Sequence, residues 1–144
     1  MDILTAMNIS GSALKAERSR LNIASMNMAN ANTTRTVEGG PYRAKSVVFE
    51  ARPLERDFNT TLQGAASRLR KVEVVEVVED RAPFREVYEP HHPDADENGI
   101  VRYPNVNTAE QMVDMMNARR SYEANVAALD AVKEMALRAL EISR

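Results

Sequence analysis

The sequence has no cysteine. That excludes disulfides, a thiolate nucleophile and zinc–thiolate sites. It has no tryptophan and only three phenylalanines, so its apolar fraction of 44% rests on aliphatic residues, alanine and eight methionines. Such a mix suits seams between helices better than a thick aromatic core. No run of about 18 apolar residues occurs, and no membrane-spanning helix is expected. The start, MDILTAMNISGSALKAERSR, has no basic region leading into an apolar one, so no cleaved secretion signal is expected either. A net charge of −2 provides no strong basic field, and nucleic acid is not an expected partner. The short basic run Arg68-Leu69-Arg70-Lys71 reads as a solvated loop edge.

What is present fits one domain of 144 residues with a modest core. Residues 3–29 read as an amphipathic helix. Met7, Leu14, Leu21 and Met28 recur every seventh position, and Ile3 and Ala24 extend the stripe. The stripe is thin, because Ser10 and Glu17 stand where a strong coiled coil would carry leucine. Gly11 costs about 1 kcal/mol relative to alanine in a helix interior, and with Ser10, Ser12 and Ala13 it offers a smooth spot for another backbone. The segment ends in Asn30, Asn32, Thr33 and Thr34, with Gly39-Gly40-Pro41 as a stop.

Residues 107–143 read as a second, longer helix, with neither glycine nor proline inside it. Thr108 and Gln111 have capping-box spacing, and Asn107 with Glu110 offers the same one residue earlier. Met115, Ala118, Tyr122, Asn125, Leu129, Val132, Ala136 and Ala139 keep a 4–3 rhythm, which Met112, Val126, Leu137 and Leu140 widen. Asn125 inside this seam is either a register selector or an edge residue bonded to water.

Between the helices, residues 42–50, 71–79, 86–89 and 100–103 are rich in β-branched and aromatic side chains and bounded by Pro, Gly and Asp. KVEVVEVVE (71–79) reads as a strand because of its valines. The stretch from Pro53 to about Arg70 reads as a long exposed loop. The fold class is mainly α with a small β insertion (α+β), the terminal helices pairing as a coiled-coil-like hairpin. Residues 1–34 with 105–144 form a helical domain, and 35–104 a β-rich one.

EPHHPDADENG (89–99) raises the question of a metal. Asp94, Asp96 and Asn98 followed by Gly99 match the first half of a calcium loop, but its closing twelfth position is Asn105, which cannot chelate as a carboxylate does. Adjacent His91 and His92 would point to opposite faces of a strand. Asn98-Gly99 between two apolar runs is better read as a hairpin turn. No metal site, cofactor or catalytic set is assigned: the sequence has no nucleophile elbow and no phosphate-cradling loop.

Two end helices with thin seams are marginal alone and invite ordering by neighbours, as in a helical or tubular assembly. The residues also carry a likeness. SRLNIASMNMANANT (19–33) resembles the asparagine-rich N-terminal signature of bacterial flagellar rod and hook proteins. PYRAKSVVFE (41–50), YEPHHPDADENGIVRYPNVN (88–107) and MVDMMNARRSYEANVAALDAVKEMALRAL (112–140) are similar to proximal-rod members of that family. The resemblance implies a structural drive-shaft subunit, not an enzyme, that is exported by the flagellar type III apparatus and assembles in the periplasmic space. Its implied partners are copies of itself, other rod subunits, and MS-ring or rod-base components. It also implies an inner helical tube with the middle segment outside. The implied signature residues are Leu21, Asn22, Ala24, Asn27, Ala29, Asn30 and Asn32, acting in helix termination and in side-chain bonding to backbone. The implied assembly seam is Met7, Leu14, Leu21, Met28, Met115, Tyr122, Asn125, Val126, Leu129, Val132 and Leu140. Met26 and Met28 depart from the smaller residues expected there. The competing reading is a soluble helical adaptor or chaperone-like binding module.

Overall fold

The computed structural model describes residues 3–54 and 69–142. In chain order come helix α1 (Ile3–Ala29), strands β1 (Lys45–Pro53), β2 (Arg70–Glu79), β3 (Arg85–Tyr88) and β4 (Ile100–Tyr103), and helix α2 (Thr108–Ile142). The architecture is mainly α with a small antiparallel β insertion, as expected. The anticipated loop at about 53–70 lies almost wholly outside the described residues. One edge of it is described: β2 begins at Arg70, one residue before the strand expected at 71–79, so Arg70 opens the strand rather than rims a loop.

The helix ends follow from side-chain chemistry. At the start of α2, Asn107 Oδ1 accepts hydrogen bonds from the backbone N–H of Ala109 at 3.1 Å and of Glu110 at 3.5 Å. Asn107 is therefore the N-cap, and Thr108 is already helical. Asparagine outranks threonine at this position, which decides between the two spacings. At the end of α1, the Asn30 amide donates to the Met26 carbonyl at 2.9 Å, and the N–H groups of Asn30 and Ala31 close the last turn. The asparagine tract alone ends the helix. Gly39 and Gly40 sit later, at φ 89° and 78°, where a turn closes by Gly39 N–H to the Thr36 carbonyl.

The strands form two two-stranded sheets, β1 with β2 and β3 with β4. Lys45 at the start of β1 lies 3.6 Å from Glu79 at the end of β2, and Arg52 further along β1 lies 3.2 Å from Glu73, so the two strands run antiparallel. β1 begins at Lys45 rather than Tyr42, because the Tyr42 N–H is taken by the Thr33 carbonyl at 3.0 Å. β3 and β4 are antiparallel, with Val87 opposite Val101 and Tyr88 opposite Ile100. The expected hairpin is real, but Asn98-Gly99 forms only the last turn of a longer loop. Gly99 N–H donates to the Asp96 carbonyl at 2.9 Å, with Gly99 at φ 73°.

Contacts divide the chain into two units. One holds Met1–Ser19, Val48–Glu76 and Ala118–Arg144; the other holds Arg20–Val47 and Val77–Asn117. In the first, Ser12 Oγ accepts from the Val72 N–H at 3.2 Å and joins α1 to β2, while Ala16 and Ala118 are buried. In the second, Ala24, Asn27, Ala31, Tyr42, Ala44 and Val101 are buried. The core is thus made largely of alanines, while Leu4, Met116, Leu137 and Leu140 are each more than half exposed. Glu17 adds a cost, because its Oε2 is buried with no hydrogen-bond partner among the described residues.

Two glycines separate local from tertiary demands. A Cβ at Gly11 would meet nothing within 4 Å, so Gly11→Ala should raise stability by about 1 kcal/mol in denaturant unfolding. A Cβ at Gly99 would come within 3.0 Å of Pro90 and Tyr88, and its φ is positive, so Gly99→Ala should destabilise by about 2 kcal/mol in the same assay.

Candidate assembly interface

Asn27 is the most heavily bonded side chain of α1 and is only 1% exposed. Its Nδ2 donates to the Lys45 carbonyl at 2.8 Å and to Gln111 Oε1 at 2.9 Å. Its Oδ1 accepts from the Tyr42 hydroxyl and from the Lys45 N–H, both at 2.9 Å. A carboxamide has two donors and two acceptor lone pairs, and here all four are used. One buried residue therefore joins α1, the entry to β1 and the first turn of α2. Burial, and then the Glu79 carboxylate, push the Tyr42 hydroxyl above its ordinary pKa of 10.0.

A second asparagine extends the node. Asn105 Oδ1 accepts from the Ala44 N–H at 2.9 Å, and its Nδ2 donates to the carbonyls of Asp80 and Ala82 at 3.3 Å. Arg43 donates to the same Asp80 carbonyl at 3.2 Å and lies 4.2 Å over the Phe84 ring. Arg20 meets Asp114 at 2.8 Å, a partly exposed pair worth at most about 1 kcal/mol. With Asn27 on Gln111 and Arg20 on Asp114, α1 and the start of α2 run in opposite directions.

The signature residues fall into groups. Ala24 and Asn27 are buried, and Leu21 and Asn30 are half-buried. Asn22, Ala29 and Asn32 are exposed. Helix termination belongs to Asn30, whose Oδ1 also accepts from the Thr33 hydroxyl at 3.2 Å. Of the seam residues, Met7, Leu14, Leu21, Met28, Met115, Tyr122, Asn125, Leu129 and Val132 are half-buried, whereas Val126 and Leu140 are exposed. Asn125 donates its amide N–H to the Ser121 carbonyl of its own helix at 2.8 Å. Gln111 and Tyr42 were not expected as node residues. The available signal was the polarity of Asn27 on an otherwise apolar helix face, since a buried amide requires partners.

In the loop 89–99, Asp96, Asp94, His92 and Glu89 are engaged in hydrogen bonds within the fold. Asp96 Oδ1 accepts from the N–H groups of Asn98 and Ile100, each at 2.9 Å. Asp94 accepts from the Thr34 hydroxyl at 2.7 Å. His92 Nδ1 accepts from the Asp94 N–H at 3.1 Å. The Tyr103 hydroxyl donates to Glu89 at 3.0 Å, and that hydrogen bond raises its pKa above 10.0. Among the described residues no group of three His, Asp or Glu side chains is placed to hold a metal ion.

A family model described as flagella basal body rod protein matches residues 7–35, which cover most of α1 and its exit. A second, described as the C-terminal part of flagellar basal body rod FlgEFG proteins, matches residues 97–142, from Glu97 through α2. The flagellar basal-body rod protein FlgC of Escherichia coli O6:H1 is 43% identical over 144 residues, covering all of both chains. The proteins of the same name from Salmonella typhimurium and Bacillus subtilis are 42% and 39% identical, again over the full length of both chains.

Asn27→Ala should destabilise the chain by about 3 kcal/mol, since it leaves several buried polar groups unpaired. Asn22→Ala, at an exposed signature position, should change stability by less than about 0.5 kcal/mol; chemical denaturation of both variants checks the contrast. Tyr42 adds a pH dependence. Below pH 10 its full contribution is present. As pH rises further the unfolded chain loses the phenolic proton first, so stability should fall with pH, and Tyr42→Phe should flatten that alkaline decline.

Proposed function

The chain belongs to the FlgC family of flagellar basal-body rod proteins, and from that premise we propose how its parts serve the rod. It is a structural subunit of the flagellar basal-body rod. In our reading, residues 1–34 with 105–144 form an inner helical tube, and 35–104 form an outer layer that includes the 53–70 segment. The seam from Met7 to Met28 and from Met115 to Leu140 then faces neighbours as well as its own partner helix. Those neighbours are copies of the chain, other rod subunits, and MS-ring or rod-base components. The subunit travels unfolded through the flagellar export apparatus, without a cleaved signal, and assembles in the periplasmic space. It needs no cofactor and performs no catalytic step.

The observation that carries this reading is the reversal of ordinary burial. Alanines occupy the interior, while Met112, Val113, Met116, Met135, Leu137 and Leu140 on α2 are more than half exposed. Fully burying one such side chain contributes about 1.5–3 kcal/mol. These side chains are already partly covered, so covering each of them in an assembly contributes a part of that amount, and several together favour association. No observation of comparable weight favours the adaptor reading, and full-length likeness to rod proteins supports the structural one.

Leu129→Asp tests the seam, because a carboxylate there would have to be buried on assembly. The purified protein should show less helix by circular dichroism than α1 and α2 together would give, and gain helix as sedimentable assemblies form. The variant should form none at concentrations where the parent chain does. A parent chain that is fully helical and monomeric at every concentration would overturn the proposal.

A further inference from the structure

α1 has a face that the described residues leave exposed, although Lys15 on it lines a small cavity with Lys71, Val72, Glu73 and Val74 of β2. Leu4, Asn8, Gly11, Lys15 and Arg18 follow one another at alternating spacings of four and three, so they share one side of the helix. All five are exposed, and Leu4 remains 67% accessible. Neither Lys15 nor Arg18 has an ion-pair partner among the described residues. Gly11 is the anomaly at the centre of this face. Its φ is not positive, no atom lies within 4 Å of where its Cβ would be, and it weakens the helix that holds it. Neither a turn nor a close neighbour among the described residues accounts for it.

α2 carries the complementary face. Ala127, Asp130, Glu134, Leu137 and Glu141 recur at the same alternating spacing and are all exposed. The three acids have no ion-pair partner among the described residues, and Leu137 remains 53% accessible. One face is basic with a gap at Gly11; the other is acidic with a protruding leucine.

We propose that these two faces bind each other between copies: α1 of one molecule lies against α2 of the next. The contact deepens the rod reading above and rests on it. The two helices run in opposite directions where Asn27 meets Gln111. Neighbours in like orientation therefore bring α1 and the adjoining α2 together antiparallel. In that register Arg18 meets Asp130, Lys15 meets Glu134, and Leu137 seats over Gly11. The two surfaces differ, so the contact is heterologous and repeats from copy to copy instead of closing on a pair.

The absence of cysteine makes the contact directly measurable. K15C and E134C are prepared as separate full-length chains, mixed, concentrated until sedimentable assemblies form, and oxidised. A disulfide-linked dimer containing one chain of each kind supports the proposal, provided that neither variant cross-links alone. Assemblies that form without the mixed dimer overturn this contact and leave the rod reading standing. Failure of the parent chain to assemble at any concentration overturns both. As an independent arm, K15E/R18E should abolish assembly while circular dichroism of the dilute chain is unchanged, and D130K/E134K mixed with it should restore assembly at least tenfold. No restoration overturns the pairing. Gly11→Leu, whose Cβ meets nothing within 4 Å among the described residues, should likewise block assembly with the dilute chain's circular dichroism unchanged; normal assembly of that variant overturns the seat for Leu137.

Discussion

The second unit depends on one saturated amide. Asn27 is buried, and each of its four hydrogen-bonding positions is matched by a partner from another segment. Its worth lies less in the net gain of each bond than in what its loss would leave behind: two acceptors and two donors, each part-buried or buried, without their partner. Apolar contacts here come mainly from alanines and are forgiving about register. The amide is not, because a shift of one residue along α1 would move it roughly 100° around the helix. The polar node specifies a geometry that the small core would leave loose.

The rest of the molecule follows from how little apolar material that node is asked to organise. Alanine interiors allow helices to approach closely but remove little apolar area from water. The larger side chains lie outside, on faces of α1 and α2 and on the ribbon of β1 and β2. A two-stranded ribbon has little independent stability in water. Valines and Phe49 on that ribbon remain partly exposed. A monomer built this way is economical in its own contacts and generous in surfaces for others. That balance suits a structural subunit of a rod.

Much of this was legible in the amino-acid sequence, and the reasons differ by element. α1 was readable to its last residue because asparagine at 30 caps backbone carbonyls locally, and α2 because Asn107 supplies an N-cap ahead of an uninterrupted helix. β2 was readable from valines that favour strands even where their spacing is ambiguous. The start of β1 was misplaced, since the hydrogen bond that holds Tyr42 back comes from Thr33, outside the strand. The metal-like loop lacks a twelfth ligand and reads as a tight turn, yet it is longer than the Asn98-Gly99 pair suggests. Asp96 bonds the backbone on both sides of the Asn98-Gly99 turn and makes a larger loop as well ordered as a tight one. Asn27 was identified only through family likeness. Gln111, taken for a cap, and Tyr42, taken for a strand residue, are its partners across the fold, and no local pattern announces a contact of that range.

That range has a kinetic consequence. Asn27 and Gln111 are 84 residues apart in the chain, and Arg20 and Asp114 are 94 apart. Closing such a loop costs about 4 kcal/mol of chain entropy before any contact is rewarded, and folds dominated by distant pairings form slowly. The N-terminal helix therefore cannot lock until the far end of the polypeptide has arrived. A molecule emerging from a narrow passage, whichever end leads, would stay pliable through most of its transit and set only when both ends are free to meet.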